Sequence, residues 1–398
     1  MRILMFSWEY PPCVVGGLGK HTAELLPPLG SLPEVDLHLV TPRWGGGKPL
    51  EKVGRATVHR VAPPTIEGDF YTSAWQTNLR LEDYAHRLWK ETGPFDLVHV
   101  HDWLVAFVGA AFKRNYNVPL LSTIHATERG RGRGRLGSNQ SRAIHHIEWW
   151  LTYESWRVIA CSQYMAAEIN DYFQCPRDKI DVIPNGVETT RFDRLEGVDL
   201  THFRTMYALP FEQIVFSVGR VVSEKGLHIL VRALPVVLAR QPSAKVVVAG
   251  KGPELESLRS LAWQLGVGEK VLFTGFISDE DRDRLFKIAD CAVFPSLYEP
   301  FGIVALEAMA ARCPVVVSEV GGLKDVVQHA ETGITVYPDD PASLAWGIGH
   351  ILQHPEWAAA RVANAYRLVR EEYNWERIAR LTADVYRQII AERAIADW

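Results

Sequence analysis

The stretch from Pro295 to Pro314, PSLYEPFGIVALEAMAARCP, carries two carboxylates, Glu299 and Glu307, eight positions apart. Glu299 follows an apolar run, Cys291 to Phe294, and sits in a polar and aromatic loop. Glu307 lies in a run from Ile303 to Ala311 rich in Ala, Leu, Met and Glu, which are good helix formers. Pro300 and Gly302 mark the change from loop to helix, because proline is tolerated in a first helical turn. Cys313-Pro314 stops that helix, and Val315-Val316-Val317 begins another strand. The stretch predicts strand, loop, helix, strand, with a helix N-terminus facing the loop. Unpaired N–H groups and a partial positive charge make such an end a place for a phosphate. Were the whole gap helical, the two carboxylates would lie about 12 Å apart along the axis. Spacing alone leaves open that Glu299 is only an N-terminal charge and that Glu307 faces water.

Outward from this stretch, strand and helix alternate twice. Ile3 to Phe6 reads as a buried strand, followed by a rigid turn, Ser7-Trp8-Glu9-Tyr10-Pro11-Pro12. A glycine loop, Val15-Gly16-Gly17-Leu18-Gly19, leads into a helical run from Lys20 to Leu26. Glycines let backbone approach a phosphate or sugar closely, although such a loop is equally a plain turn. Strands follow at Val35–Val40 and Val58–Val61, and residues 74–92 have helical spacing. The strand from Phe95 to Val100 delivers His101-Asp102-Trp103 at its carboxyl end, where open α/β sheets bind ligands. Asp102 is also placed to cap a helix starting at Trp103. The strand Leu120–Ile124 ends at His125.

From Glu128 to His146, Arg129, Arg131, Arg133, Arg135 and Arg142 are interleaved with Gly130, Gly132, Gly134 and Gly137. That composition predicts a mobile loop. An acceptor lid, a basic nucleic-acid segment and a plain solvated loop all fit it, though few aromatics are present to stack on bases. A helix is expected to resume at Ile147–Tyr153, with Trp149 and Trp150 in a core. Residues 189–211 show no sustained strand pattern and read as a linker. The alternation then restarts. Ile214–Val218 is a strand, Gly219-Arg220 a loop, and Ser223-Glu224-Lys225-Gly226 opens a helix. Arg220 and Lys225 flank that loop; two converging cations call for an anion, unless they point apart into water. Ala244–Ala249 and Val271–Ile277 repeat strand and turn, helices dominate from Pro341, and Asn374–Arg393 is an amphipathic tail.

With 398 residues the chain has room for two domains. A hydrophobic share of 47% with 23% charged residues is that of a globular protein. A net charge of −4 gives no global attraction to nucleic acid or anionic lipid. The cysteines are five in number and lack C-x-x-C spacing, which argues against a disulfide framework or a zinc site and fits a reducing, cytoplasmic setting. No run approaches the roughly 20 apolar residues of a membrane helix, and the apolar start is too short for a signal peptide.

The motifs E-P-F-G-I-V-A-L-E, G-G-L-G, H-D-W, T-I-H, I-P-N-G-V and G-R-x-x-x-E-K-G together resemble family-4 retaining glycosyltransferases, most closely the bacterial glycogen and starch synthase type. The resemblance covers nearly the whole chain. It implies the α/β fold called GT-B, with two Rossmann-like domains facing each other across a deep cleft and a C-terminal helix crossing back to the first. On that reading residues 1–190, with about 378–398, form the acceptor-side domain, and 191–377 bind the nucleotide sugar. It further implies catalytic roles for Glu299, His125 and Asp102. Donor contacts fall to Gly16, Gly17, Arg220, Lys225, Phe276, Ile277, Phe301, Gly302, Ile303, Val304 and Glu307. Phe276 and Ile277 would lie near the base; as core residues they would need no function. Neither a metal nor a cofactor is expected, since no D-x-D motif is placed on the diphosphate and the nucleotide sugar is itself a substrate. The implied reaction is glucosyl transfer from ADP- or UDP-glucose to an α-glucan or glucose 1-phosphate. Alternatives are transfer of another sugar, such as mannose from GDP-mannose, to a lipid or small acceptor, or a non-catalytic glucan- or RNA-binding scaffold. Nucleic acid and integral membrane contact are not expected. Three positions depart from the family pattern: Arg312 where glycine is common, Val14 where synthases carry lysine, and Glu188 where aspartate is commoner.

Overall fold

A computed structural model describes residues 1–65 and 68–396. The chain divides into two compact units, Met1–Gly186 with Trp375–Trp398, and Val187–Asn374. Each is built on one sheet of short strands rich in Val, Ile and Leu, buried along most of their length as parallel strands covered on both faces must be.

The first unit contains β1 (Arg2–Phe6), β2 (Asp36–Pro42), β3 (Leu50–Val53), β4 (Ala56–Val61), β5 (Leu97–His101), β6 (Leu120–Ile124), β7 (Arg157–Ala160) and β8 (Ile180–Val182). Their spatial order is β3-β4-β2-β1-β5-β6-β7-β8, all parallel except the β3–β4 hairpin at one edge. The chain runs outward from β1 and then returns to place β5 on its other side, so the order reverses between β1 and β5. Ligands of open α/β sheets bind at such a point, beyond the carboxyl ends of the strands.

The second unit repeats the plan with β9 (Gln213–Val218), β10 (Ala244–Ala249), β11 (Val271–Gly275), β12 (Cys291–Phe294), β13 (Val315–Ser318) and β14 (Ile334–Val336). The order is β11-β10-β9-β12-β13-β14, parallel throughout. Here the reversal falls between β9 and β12, so Gly219-Arg220 and the loop carrying Glu299 leave adjacent strands.

The tail is a helix, Trp375–Ile395, belonging to the first unit. Its buried face includes Ile378, Tyr386 and Ile389, each fully inaccessible. The two isoleucines alone contribute roughly 3–6 kcal/mol before conformational entropy is subtracted. Trp375 Nε1 donates to Glu24 Oε2 at 2.7 Å, and Tyr386 reaches His99 Nδ1 at 2.8 Å, tying the helix to both the first helix and the sheet.

Three expectations are corrected. The arginine–glycine stretch is not loop throughout. A short helix, Glu128–Arg131, is capped by Thr127, and the next helix begins at Asn139 rather than Ile147. A reciprocal capping box between Ser138 and Ser141 starts it early, because both orphan N–H groups find side-chain acceptors. Trp149 is exposed and Trp150 half-buried; the helical period turns Ile144, Ile147 and Leu151 inward instead. Residues 189–211 are more than a linker, since helices Thr190–Asp193 and Thr201–Thr205 bury Phe192 and Phe203.

Candidate active site

In the second unit, β9 and β12 bring two cations and a carboxylate together. Gly226, at φ +64°, begins the helix Leu227–Arg240, and a Cβ there would stand 1.9 Å from the Pro295 carbonyl oxygen. Only glycine permits that approach, which draws the preceding Lys225 to the loop after β12. Lys225 Nζ donates to Glu299 Oε2 at 2.6 Å, and Ser296 Oγ reaches the same oxygen at 3.3 Å. Arg220 Nη2 reaches Glu224 Oε1 at 3.2 Å and stays about half exposed. The cations therefore do not simply point apart into water: each is paired with a carboxylate at the edge of one small cavity of about 40 Å³, lined also by Gly219, Ser296 and Val304. Gly321, at φ +52°, packs against the Glu299 carbonyl oxygen, which accepts from Gly322 N at 2.9 Å. Glu299 is thus held from both its backbone and its side chain, and is 8% exposed.

Helix Ile303–Ala310 follows, with Gly302 at its N-cap position and no side-chain cap. The first-turn N–H groups of Ile303 and Val304 are consequently available to an anion. The Phe301 side chain is packed edge-on to Tyr373 and is 3% exposed, so only its backbone can serve a ligand. Glu307 does not face water. It is 2% exposed and pairs with Arg191 and Arg282, which also meet Asp283. A ribose would have to join that network or displace part of it. Past the end of β11, Phe276 is 76% exposed, which removes the core reading for this ring, while Ile277 is half-buried.

In the first unit the loop after β1 precedes the helix Gly17–Ser31, whose N-cap position, Gly16, has no side-chain cap. The Glu9 carboxylate accepts from Val15 N at 2.8 Å and from Gly16 N at 3.1 Å. A carboxylate thus occupies part of the N–H cradle expected for a phosphate, while Gly17 is exposed. Glu9 went unrecognised in the sequence because only the folded turn aims it at residues six and seven positions later.

Asp102 has φ +60° and caps nothing. Its Oδ1 accepts from His125 N at 2.6 Å, so the carboxylate fastens the ends of β5 and β6 together. Burial pushes its pKa up to about 6, opposed by the Arg131 charge and the N–H groups of His125 and Ala126. His125 Nε2 stands 3.1 Å from His101 Nδ1. Burial, with Arg131 adding to it, pulls the His125 pKa down to about 3, so the ring is neutral near pH 7. His21 donates from Nδ1 to Asn185 Oδ1 at 2.6 Å, and burial followed by His125 lowers it to about 3. His21, His101 and His125 each offer a ring nitrogen within 4.8 Å of the others, a set that could hold a metal ion. Sequence reading passed over it because residues 21, 101 and 125 show no ligand spacing along the chain. Glu148 was likewise missed. It is 1% exposed, accepts the Glu128 N–H with both oxygens, and burial raises its pKa well above the usual carboxylate range.

Of the arginines in the stretch, Arg131 is the one whose charge acts on Asp102, His125 and Glu148. Arg129 lies over the Tyr172 ring at 4.5 Å, a cation–π contact.

Two family models match the chain, Glycosyltransferase Family 4 over residues 15–191 and Glycosyl transferases group 1 over residues 209–368. An uncharacterized glycosyltransferase of Methanocaldococcus jannaschii is 41% identical, the match covering 97% of this chain and 98% of that protein. The glycogen synthase of Mycobacterium tuberculosis is 36% identical over 97% of this chain and 94% of its own length. Among solved structures, the sucrose-phosphate synthase of Thermosynechococcus elongatus superposes with a TM-score of 0.84 at 26% identity, covering 98% of this chain and 99% of that one.

Proposed function

We propose a reaction on one premise: this chain belongs to the family-4 glycosyltransferases, has their GT-B fold, and is a nucleotide-sugar-dependent hexosyltransferase. The hexosyl unit is glucosyl, taken from ADP- or UDP-glucose with its α configuration retained. The acceptor is an α-glucan or glucose 1-phosphate, and the setting is cytoplasmic. The observation that carries the reading is the group at the reversal of the second sheet, where Lys225 and Arg220 border the same small cavity as Glu299, beside a helix start without a side-chain cap. The similarity to a glycogen synthase along almost the whole chain supports glucose as the sugar. The five free cysteines fit a reducing compartment, and no described helix is long and apolar enough to cross a membrane.

In this mechanism Arg220, Lys225 and the N–H groups of Ile303 and Val304 take the diphosphate and stabilise it as it departs. Glu307 takes the ribose and Phe276 stacks by the base. Glu299 holds the sugar hydroxyls, and in binding them exchanges its Lys225 contact for the donor. Asp102 orders the backbone that presents His125, and the neutral His125 ring or carbonyl supports positive charge developing on the sugar. Double displacement needs a carboxylate under the anomeric carbon. Asp102 is turned onto the His125 backbone, and Glu299 is assigned to the sugar hydroxyls rather than to the anomeric carbon. Front-face attack follows, with the acceptor proton passing to the leaving diphosphate as the bond from the sugar to the phosphate oxygen breaks. Incubation with a panel of ADP-, UDP- and GDP-sugars against glucans, glucose 1-phosphate and lipid acceptors, read by product mass, tests this. Product from GDP-mannose alone, or no product from any donor, overturns the glucosyl reading.

A further inference from the structure

Three histidines from separate segments meet in the first unit. His21 comes from the helix Gly17–Ser31, His101 ends β5, and His125 follows β6. His21 and His101 are buried, and His125 is partly open to solvent. Two features separate this cluster from ordinary core packing. His101 Nε2 is buried with no hydrogen-bond partner. His21 is already oriented, because its Nδ1–H is held by Asn185 Oδ1 at 2.6 Å and its Nε2 lone pair is left for a further partner. An outer amide or carboxylate fixes metal-ligating imidazoles in the same manner. The adjacent His99 does not share these features, since Tyr386 and Thr123 occupy both its nitrogens at 2.8 Å.

We propose that His21, His101 and His125 bind one transition-metal ion of the Zn²⁺ class, which inhibits the enzyme. Three imidazoles without a carboxylate suit Zn²⁺, Cu²⁺ or Ni²⁺ and not the oxygen-seeking Mg²⁺ or Ca²⁺. Nitrogens around a tetrahedral zinc stand about 3.3 Å apart. The three offered here lie within 4.8 Å, so the rings close slightly on binding, with His125 on its loop moving most. The 3.1 Å contact between His101 Nδ1 and His125 Nε2 gives way to the metal, and a fourth position is left for water on the open side of His125. Inhibition rests on the assignment of His125 to the sugar; binding does not.

The test uses the full chain, treated with EDTA and then dialysed. Co²⁺ titration is expected to give one equivalent with the visible bands of a low-coordinate site, lost on adding Zn²⁺. Competition with a chromophoric chelator should place Zn²⁺ binding in the micromolar range or tighter. His21→Gln and His125→Gln should each weaken it at least about 10-fold, as should Asn185→Ala, which keeps all three ligands. Circular dichroism confirms that each variant is folded. Replacing the remote His350 and His354 by Gln is the control and should change nothing. Absence of a Co²⁺ spectrum, or binding undiminished by His21→Gln and His125→Gln, overturns the site. If Zn²⁺ binds as described and transfer is unaffected, the site stands and the assignment of His125 to the sugar falls.

Discussion

Replacing Lys225 by alanine separates a donor contact from a structural pair. Lys225 Nζ lies 2.6 Å from Glu299 Oε2, and the two side chains are 25% and 10% exposed. In the free protein the substitution leaves a nearly buried carboxylate whose side chain keeps the longer contact to Ser296 Oγ at 3.3 Å. An unsatisfied buried group costs about 1–3 kcal/mol, with the low end expected here because water reaches the lysine side. In the reaction, loss of a charge-assisted hydrogen bond to the diphosphate, about 1.5–3 kcal/mol, lowers kcat/KM about 10- to 100-fold. Initial rates at varied donor give the second quantity and urea unfolding the first. A cycle with Glu299→Gln sorts the roles. Because the two side chains touch, their losses are not expected to add. If Lys225 also contacts the donor, the double variant is worse than Glu299→Gln alone; if Lys225 only positions Glu299, the double variant is no worse. Unchanged kcat/KM in both Lys225→Ala and Arg220→Ala would refute the diphosphate assignment.

Activity should survive EDTA, because two cations and a helix start answer the diphosphate charge; full loss restored by Mg²⁺ or Mn²⁺ would contradict that. Residues 128–142 should become more protected from hydrogen exchange when an acceptor binds. The turn at Arg133 and Gly134, rather than the capped helix from Asn139, should exchange fastest in the free protein, and slow exchange at that turn ends the lid idea. Glu299→Gln should lose several orders of rate while keeping the fold, and NMR of the first product should show an α linkage. A β-linked product, or a sugar ester trapped on Glu299 or Asp102, excludes front-face attack. Stability should fall as pH drops below about 6.5. Burial, then His38 and Lys52, lower the His59 pKa to about 4, so between those values the unfolded chain binds a proton that the folded one does not. That difference amounts to about 3 kcal/mol at most. His59→Gln should reduce the slope of the urea midpoint against pH between about 4 and 6.5, with the buried His21 and His125 still contributing, and an unchanged slope would show that His59 titrates normally.

Some of this protein could be read along the chain because the physics concerned is local. Helix formers from Ile303, the Gly302 break and the Val315–Val317 run fix strand, loop and helix around Glu299 through propensity and backbone sterics alone. Hydrophobic periodicity likewise located the strands that deliver Arg220, Asp102 and His125, since alternation or continuity of apolar residues is set by which faces are buried. The start of the helix at Asn139 was missed because glycine and arginine content outweighed a Ser138–Ser141 cap that is only two hydroxyls in the sequence.

What the sequence alone determined is therefore the alternation of elements, the strand ends on which the polar residues sit, and the family. The tertiary structure decided their partners. It turned Asp102 from a helix cap into a clasp on the His125 backbone, committed Glu307 to Arg191 and Arg282, set Glu9 in the glycine loop, and exposed Phe276. It also gathered His21, His101 and His125, which lie far apart in the sequence. Such meetings depend on the order of strands in the sheet and on where burial makes a charge or an unpaired nitrogen costly, and neither quantity is written in any local run of residues.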